Sequence, residues 1–414
     1  MGRDRISELP NALLSQILLH LPSKESVKTS VLSKRWEYVW LKVPGLDLKF
    51  TDFPFWGEVF ESFMDKLFKF NQGRMQKFKL KYEHIINTCS HRFVDWIATA
   101  VDRETQHLDV ESEMAPCPRD IMPQNMYKSK TLVSLKLAHV ALENPELVVS
   151  LPCLKTIHLE HVWYGWYNDQ DGLLIVEKLI SGCPVLEELT VVRSHDDEDT
   201  LPLLRVRSQS LQILHLMFDW GMLSTDFSVE IDAPRLGYLR FRDSQSEMSV
   251  VKNLSSLFKI DIDSEFNVKF GITALEPEDI TKTKRDTIRD FLNGISIVRH
   301  MIISQATLEV LYLYSKLGPI PKFHNLYHLQ AAFSSSILQL LPAFLESCPN
   351  LTNLILDFSV STEAEQIDMT NTPPQCLTST LECVEINKLI MKEETGVKLV
   401  NYFLRILQYS RNFL

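Results

Sequence analysis

The sequence predicts an α/β protein: a three-helix module at the N-terminus, then an irregular leucine-rich-repeat solenoid shaped like a horseshoe, and a short α+β segment at the C-terminus. Three observations support this prediction. Apolar residues recur at helical spacing in the first 44 residues. From about residue 46 onward the pattern L-x-x-L-x-L recurs, which is typical of leucine-rich repeats. The composition, 45% apolar and 23% charged, is that of an ordinary folded protein.

The N-terminal module begins with a helix that Pro10 can open at its first turn and that Pro22 ends. Ser23 is expected to cap a second helix, and the segment SKRWEYVW is expected to form a third. The leucines and isoleucine of the first helix cover more than the single stripe that a surface helix needs. Because so small a module can bury little surface by itself, the surplus apolar surface predicts a binding partner.

In the repeat region, the leucines of each short strand should point inward and stack on those of the next turn, because no single turn can bury its own apolar face. The residues between them should point outward and line a concave surface, where repeat proteins usually bind. The candidate target-binding residues on this surface are Lys136, His158, His215, Arg240, Asp261 and Tyr312. The clear repeats begin at Leu132, Leu154, Leu186, Leu211, Leu236, Leu257, Leu308, Leu326, Leu351 and Leu381.

Two stretches of the repeat region depart from regular spacing. The step from Leu257 to Leu308 is about twice the roughly 20 to 29 residues of a leucine-rich repeat. It contains a predicted helix around residues 284–292 and has room for one degenerate repeat. Three strand-like pieces that precede the clear repeats, and that can be degenerate turns, begin at Leu46, Phe78 and His107.

The C-terminal region starts with a polar, proline-bearing stretch at residues 361–375, which is typical of a linker. The segment LECVEI that follows is strand-like, and the chain then takes the amphipathic pattern of a terminal helix. The apolar face predicted for this helix consists of Val397, Val400, Phe403, Leu404 and Leu407. The predicted domains are residues 1–45, 46–360 and 373–414.

Charge, cysteine content and motifs exclude several classes of function. A net charge of -10 gives no positive field for phosphate backbones or anionic lipid, so neither nucleic acid nor a membrane is an expected partner. The seven cysteines include no C-x-x-C pair, which indicates reduced thiols and no metal site. Without a signal-peptide or membrane-spanning pattern, the expected location is the cytoplasm and/or nucleus. No catalytic residue and no cofactor are predicted, because no nucleophile triad, phosphate loop or metal-ligand spacing is present.

Three further features favour a structural interpretation over a functional one. Cys183 and Cys348 precede strand leucines at equivalent places, which suggests a repeated packing role. The acidic run at residues 195–199 is typical of a solvated loop. The basic cluster within residues 282–289 could meet a phosphate, but an exposed helix face is the favoured interpretation.

A family resemblance covers the whole N-terminal module. Residues 4–44 read DRISELPNALLSQILLHLPSKESVKTSVLSKRWEYVWLKVP. They resemble the plant-type F-box, including its LP, its I-L-x-x-L-P and its S-V-L-S-K-R-W. The phrases GCPVLEEL and SCPNLTNL are similar to a phrase of the leucine-rich region in the same family. The tail, with PPQCLTSTLECVEI and LVNYFL, resembles the start of the family's FBD domain, but it lacks the Trp ahead of the paired prolines and the strand that follows in the family.

The resemblance implies a function in protein degradation. An F-box docks on a Skp-type adaptor, which joins a cullin and a RING subunit, so this chain would supply target binding to a ubiquitin ligase without catalysing the reaction. Some of the apolar residues carried over from the family must form the core of the module, and the sequence does not divide core from contact residues. The residues that the resemblance assigns to the adaptor are Leu9, Pro10, Leu13, Leu14, Ile17, Leu18, Leu21, Val31, Leu32 and Trp36.

Two alternative functions stay open at this point. The first is a scaffold of the same fold that binds a partner through its repeats and has no ligase function. The second is a sensor in which a small molecule in the horseshoe completes the target site. On the leading interpretation, Leu14→Asp combined with Trp36→Ala is predicted to abolish adaptor binding, because both residues are expected at the contact face.

Overall fold

A computed structural model describes residues 5–53, 58–70, 73–83, 92–112, 121–165, 174–193, 203–218, 228–243, 248–268, 280–359, 374–387 and 394–411. The acidic run at residues 195–199 and most of the predicted linker lie outside these ranges. The chain divides into two compact units. The first comprises residues 1–193 and 197–201, and the second comprises residues 194–196 and 202–414.

The first unit starts with the helical module. Helix α1 (Asn11–Leu18) follows Pro10, and helix α2 (Ser23–Lys28) follows Pro22. Both prolines are extended, with ψ of 147° and 146°, so each stands just outside the helix that it opens. Ser23 is therefore the first residue of α2 and not its cap.

The third predicted helix of the module differs from the prediction. Its residues form turns that end in a single 3₁₀ turn at Trp40–Lys42. Trp36 and Val39, three residues apart, are 5% and 2% exposed. Because side chains three residues apart eclipse in a 3₁₀ turn, this tight conformation directs both toward the module core.

The strands of the first unit form one parallel sheet and one short pair. The parallel sheet has the order β1-β2-β3-β4-β6-β8, and β5 pairs with β7. Parallel neighbours joined by crossovers are the architecture expected of stacked repeats. The elements are β1 (Gly45–Lys49), α3 (Glu58–Phe70), β2 (Lys77–Tyr82), α4 (Arg92–Asp102), β3 (His107–Ser112), β4 (Ser134–Ala138), β5 (Ala141–Leu142), β6 (Thr156–Glu160), β7 (Trp163–Tyr164), α5 (Ile175–Ser181) and β8 (Glu188–Arg193).

The second unit repeats this plan and adds a second sheet. Its main sheet has the parallel order β10-β12-β14-β15-β16-β17-β18, and a separate parallel sheet has the order β13-β11-β9. The elements are β9 (Leu203–Arg207), β10 (Ile213–Phe218), β11 (Ser228–Asp232), β12 (Tyr238–Asp243), β13 (Met248–Lys252), β14 (Lys259–Ser264), α6 (Lys282–Gly294), β15 (His300–Ile303), α7 (Gln305–Leu317), β16 (His328–Ser334), α8 (Leu340–Glu346), β17 (Asn353–Ser359), α9 (Gln375–Ser379), β18 (Cys383–Asn387) and α10 (Glu394–Arg411).

The inward residues of the main strands stack in register, as the repeat pattern predicts. Each is 2% exposed or less, so the row forms a continuous apolar layer under the strands of the second unit. Alternate residues along each strand point away from this layer. The row consists of Leu214, Leu239, Ile260, Met301, Leu329 and Leu354.

One predicted strand is wrong. The segment LEVLYL from Leu308 lies inside α7, and the strand of this repeat is β15 just before it. The Ser304 hydroxyl caps α7 by accepting a hydrogen bond from the Thr307 amide. Leu308 and Leu311 are both fully buried, at a spacing of three residues that also suits one face of a helix. The degenerate repeat expected between Leu257 and Leu308 is therefore present as β15, and the helix predicted there is α6.

The terminal helix α10 is present, but its buried face differs from the predicted one. Leu399, Tyr402 and Phe403 are buried, whereas Val397 and Leu404 are 40% and 51% exposed. Burial therefore follows the face that contacts the chain and not the full apolar pattern. The side chain of Leu407 lies outside the described residues.

Candidate binding surfaces

The structure separates the predicted adaptor-binding residues into two groups. Leu14, Leu18 and Trp36 are 0%, 2% and 5% exposed and form one apolar core with Val39 and Val43. Their side chains are inaccessible to a partner while the module is folded. The apolar residues that define the resemblance therefore include the core of the module, as the small size of the module required.

The second group is exposed. Leu13, Ile17 and Leu21 are 51%, 46% and 39% exposed, and their spacing of four residues places Leu13 and Ile17 on one side of α1. Val31 and Leu32, after α2, are 85% and 65% exposed. We call these five residues the exposed apolar set. Pro10 is also exposed, and Leu9 is partly buried against the core.

Two exposed apolar residues of the module were missed by the sequence analysis. Ile6 and Tyr38 are 58% and 61% exposed. Both lie outside the helices, so helical spacing does not single them out. Proximity in sequence to Leu9 and Trp36 was the available signal for them.

Hydrogen bonds hold the start of the chain against the third segment of the module. The Arg35 guanidinium donates to the backbone carbonyls of Ser7 and Leu9. The Trp36 indole Nε1 donates to Ser7 Oγ at 2.9 Å. The buried Ser26 hydroxyl donates to the Leu18 carbonyl at 3.1 Å and joins α2 to the end of α1. Since buried polar groups need partners, these contacts favour one arrangement of the three segments.

The module continues directly into the first repeat strand. The backbone amide of Asp47 in β1 donates to Ser23 Oγ at 2.9 Å, and Lys24 forms an ion pair with Asp52 at 2.8 Å. Gly45 at the start of β1 leaves room for this approach, because a Cβ there would meet the Leu19 side chain and stand 3.0 Å from the Lys77 carbonyl oxygen. The module therefore packs against the repeats of its own unit.

On the outward strand face of the first unit, charged residues alternate in sign. In register across the sheet, Asp47 is followed by Lys79, Asp109, Lys136 and His158. Lys79 Nζ lies 3.0 Å from Asp109 Oδ2, and the hydrogen bond to Asp109 raises the pKa of Lys79. Lys79 and Asp109 therefore neutralise each other within the chain.

The predicted residues Lys136 and His158 are neighbours in this row. His158 Nε2 lies 3.0 Å from Glu160 Oε2. Burial acts to raise the pKa of Glu160, but the hydrogen bond with His158 and the positive charges nearby outweigh it, so the pKa of Glu160 is lowered. Their role in target binding stays a prediction.

On the outward strand face of the second unit, His215, Arg240 and Asp261 follow one another in register. Arg240 Nε lies 3.2 Å from Asp261 Oδ2, so the two charges form an ion pair. The prediction that Tyr312 shares this face is wrong, because Tyr312 lies on α7. Its hydroxyl donates to Gln339 Oε1 at 3.4 Å, and Lys316 Nζ lies 4.3 Å from the centre of its ring.

The ion pair between Arg240 and Asp261 makes a testable prediction. Arg240→Asp is expected to lower the thermal stability slightly, by under about 1 kcal/mol, because two carboxylates then face each other across neighbouring strands. Adding Asp261→Arg should restore an opposite pair and most of the lost stability. Thermal unfolding of the wild type, both single variants and the double variant measures the effect. A double variant no more stable than Arg240→Asp alone would contradict the pairing.

A groove of about 180 Å³ opens on the strand face of the second unit. It is lined by charged residues of β12, β14 and β17, by Ile302 and Ile303 of β15, and by Gln330 and Ala332 of β16. The groove contains Arg240 and Asp261, so two of the predicted target-binding residues lie at a surface with room for a side chain. Arginines and aspartates both line the groove: Arg240, Arg242, Asp261, Asp263 and Asp357.

The cysteines of the helix-to-strand turns have the packing role expected of them. Cys183 Sγ donates to the Leu179 carbonyl at 3.0 Å, and Cys348 Sγ donates to the Phe344 carbonyl at 3.4 Å. Burial raises the pKa of Cys183 to about 12 and raises that of Cys348 as well. Thiols with raised pKa are poor nucleophiles.

The described residues contain neither a cluster of metal ligands nor a membrane-spanning helix. Within the described ranges, no group of three or more His, Cys, Asp or Glu side chains is placed to hold a metal ion. No helix among the same residues combines the length and apolar character needed to cross a membrane.

Three family models match the chain. The F-box domain model matches residues 6–46, and the FBD model matches residues 370–406. A model described as the LRR repeats of the FBD-associated F-box protein At5g56370 matches residues 93–257.

Relatives from Arabidopsis thaliana are similar along nearly the whole chain. The putative F-box/FBD/LRR-repeat protein At5g44950 is 64% identical over 98% of this chain and 90% of its own length. The F-box/FBD/LRR-repeat protein At2g26030 is 61% identical over 98% and 90%. The F-box/FBD/LRR-repeat protein At5g44980 is 52% identical over the same shares, 98% and 90%.

Proposed function

This chain belongs to the F-box/FBD/LRR-repeat proteins, and from that premise we propose that it is the substrate-recognition subunit of a Skp, cullin and F-box type ubiquitin ligase. The resemblance of its three regions to that family is confirmed. F-box and leucine-rich-repeat domains together imply a substrate-adaptor role in such ligases. In the proposal, the module binds a Skp-type adaptor, and through it a cullin, while the repeats bind a protein target.

The observation that supports the proposal most strongly is the exposed apolar surface of the module. Among the described residues, sixteen large apolar side chains are exposed, and seven of them lie between Ile6 and Tyr38. Apolar surface left in water costs roughly 25 cal/mol per Å² relative to burial. A concentration of it on a folded module is typical of an interaction site. We therefore assign adaptor contact to the exposed apolar set with Pro10, Ile6 and Tyr38.

The proposed role requires no catalysis by this chain. Holding a target lysine near a charged thioester on another subunit makes the encounter effectively intramolecular, and the rate gain comes from that proximity. The work of this chain is then to bind two partners at once. We propose the cytoplasm and/or nucleus as its location, where such assemblies operate.

We propose that the F-box spans residues 1–45, the leucine-rich-repeat region residues 46–360 and the FBD-like segment residues 373–414. The first boundary is supported by the change from the helical module to strand β1 at Gly45. The last is supported by α9, β18 and α10, which follow the repeats as a small α+β group.

Co-expression with a Skp-type adaptor tests the proposed function. We expect the chain to aggregate more when expressed alone than when expressed with the adaptor, because the partner covers the exposed apolar set. Cullin should co-purify with the pair. Soluble yield at matched expression, followed by size-exclusion chromatography, measures both effects. Equal solubility without adaptor, together with no co-purification of cullin, would favour a scaffold with no ligase function.

A further inference from the structure

The groove on the second unit includes the end of strand β15, which is shorter than its neighbours. Strand β15 ends at Ile303, whereas its neighbours continue to Ser264 in β14 and Ser334 in β16. The register pairs Ile262 with Ile303, so Asp263 has no partner in β15. Ile302 and Ile303 of β15 line the groove together with Ser304, and Ala332 in β16 contributes a small side chain.

Both arginines of the groove form ion pairs within the chain. Arg240 pairs with Asp261 at 3.2 Å, and Arg242 pairs with Asp263 at 3.0 Å, each across neighbouring strands. The two arginines therefore have their own carboxylates. Any further carboxylate in the groove adds surplus negative charge.

Asp357 on β17 is that further carboxylate. Its Oδ2 accepts a hydrogen bond from Gln330 Nε2 at 2.9 Å, and its Oδ1 accepts one from Asn387 Nδ2 at 3.1 Å. Both donors are neutral amides, and in the described part of the chain no lysine or arginine forms an ion pair with Asp357. Each carboxylate oxygen keeps a free lone pair, so Asp357 is oriented and able to accept a forked donor.

Glu265, next to strand β14, is a further acid with a raised pKa. Glu265 follows the end of β14 by one residue. Burial, and then the charges of Asp263 and Glu309, raise the pKa of Glu265 to about 7. Burial is the first cause of this rise, so the shift describes the surroundings of Glu265 itself and does not measure the charge of the groove.

We propose that this groove binds an arginine side chain from a basic segment of the target protein. The aliphatic stem would lie on Ile302 and Ala332, and the guanidinium would meet Asp357 through two parallel hydrogen bonds. Arginine suits the site better than lysine because its planar fork matches a carboxylate and its stem packs on apolar surface. This inference rests on the proposed function and names the chemistry of the target at one position.

The test uses the full chain and a fluorescein-labelled Gly-Ser peptide with paired arginines at its centre. Fluorescence anisotropy is measured for the wild type and for Asp357→Asn, with Asp109→Asn as the matched control. Asp109 lies on the strand face of the other unit and its change alters the net charge equally. We expect Asp357→Asn to weaken binding about tenfold or more, and Asp109→Asn to change it less than about twofold.

A second variant tests the groove by shape alone. Ala332→Leu fills the space without changing any charge, and it should weaken peptide binding to a similar degree. Replacing both arginines of the peptide by citrulline, which is isosteric and neutral, should abolish binding to the wild type. The proposal is overturned if the citrulline peptide binds equally well, if Asp109→Asn weakens binding as much as Asp357→Asn, or if the arginine peptide does not bind.

Adaptor binding is measured on the same proteins to separate the two proposals. All three groove and control variants should bind the Skp-type adaptor as the wild type does, because their positions lie in the repeats and not in the module. Failure of the wild type to bind adaptor would count against the proposed function. Loss of peptide selectivity with normal adaptor binding would count against the groove alone.

Discussion

Replacing Ile17 and Leu32 together by aspartate is expected to weaken adaptor binding at least about a hundredfold while leaving the fold intact. Both side chains are exposed, by 46% and 65%, so their replacement should change the stability of the free chain little. In the complex, each carboxylate would have to give up water against an apolar surface, which costs several kcal/mol when no partner is supplied. Calorimetric titration of the adaptor into the purified chain measures the loss.

Matched controls for this variant lie outside the module. Leu147 and Val148 are 60% and 86% exposed on the first unit, and the same pair of aspartates there should leave adaptor binding unchanged. The thermal unfolding of both double variants should match the wild type, since exposed substitutions usually change stability by about 0.5 kcal/mol or less. Full-strength adaptor binding by the Ile17 and Leu32 variant would remove the exposed apolar set from the interface.

Replacing Trp36 by alanine is expected to unfold the module without touching the interface directly. The side chain is 5% exposed and its indole donates to Ser7 Oγ, so its removal leaves a cavity and breaks this hydrogen bond. Burial losses of this kind typically cost about 3 to 5 kcal/mol. So small a module has little stability in reserve. Adaptor binding should then fall because the exposed apolar set is no longer held in place.

Hydrogen exchange separates this mechanism from loss of a contact. In Trp36→Ala, backbone amides of α1 and α2 should exchange faster, while those of the strands β10 to β17 stay protected. In the Ile17 and Leu32 variant, protection should be normal throughout. If Trp36→Ala loses adaptor binding while the amides of α1 stay protected, the result would indicate that Trp36 contacts the adaptor directly.

The double variant Leu14→Asp with Trp36→Ala is therefore expected to lose adaptor binding for a different reason than the sequence predicts. Leu14→Asp with Trp36→Ala was assigned to a contact face, yet both residues belong to the core of the module. Binding would still be lost, but through unfolding. A helix with apolar residues on more than one side does not reveal which side its own chain covers.

Periodicity was sufficient for most strands of the repeat region and failed at one repeat. The alternation of inward leucines predicts the strands at Leu132 and Leu351 because a period of two is specific to a strand. In LEVLYL the same letters place Leu308 and Leu311 at helical spacing, and only the cap at Ser304 and the preceding strand favour the helix. Helix α3 was not predicted, although Phe60 and Met64, which are fully buried, have the spacing of four residues that suits one face of a helix.

The sequence by itself determined the family, the order of the three regions, the stacking of the repeats and the presence of surplus apolar surface on the module. These properties depend on local spacing and composition, which can be read directly from the sequence. The tertiary structure alone decided that Leu14 and Trp36 are core while Ile17 and Leu32 are exposed, that Arg240 pairs with Asp261, and that a groove lies between the end of β15 and Asp357. Each of these features requires contacts between residues that are distant in the sequence. Burial, ion pairing and cavities arise from such contacts, so no single segment of the chain predicts them.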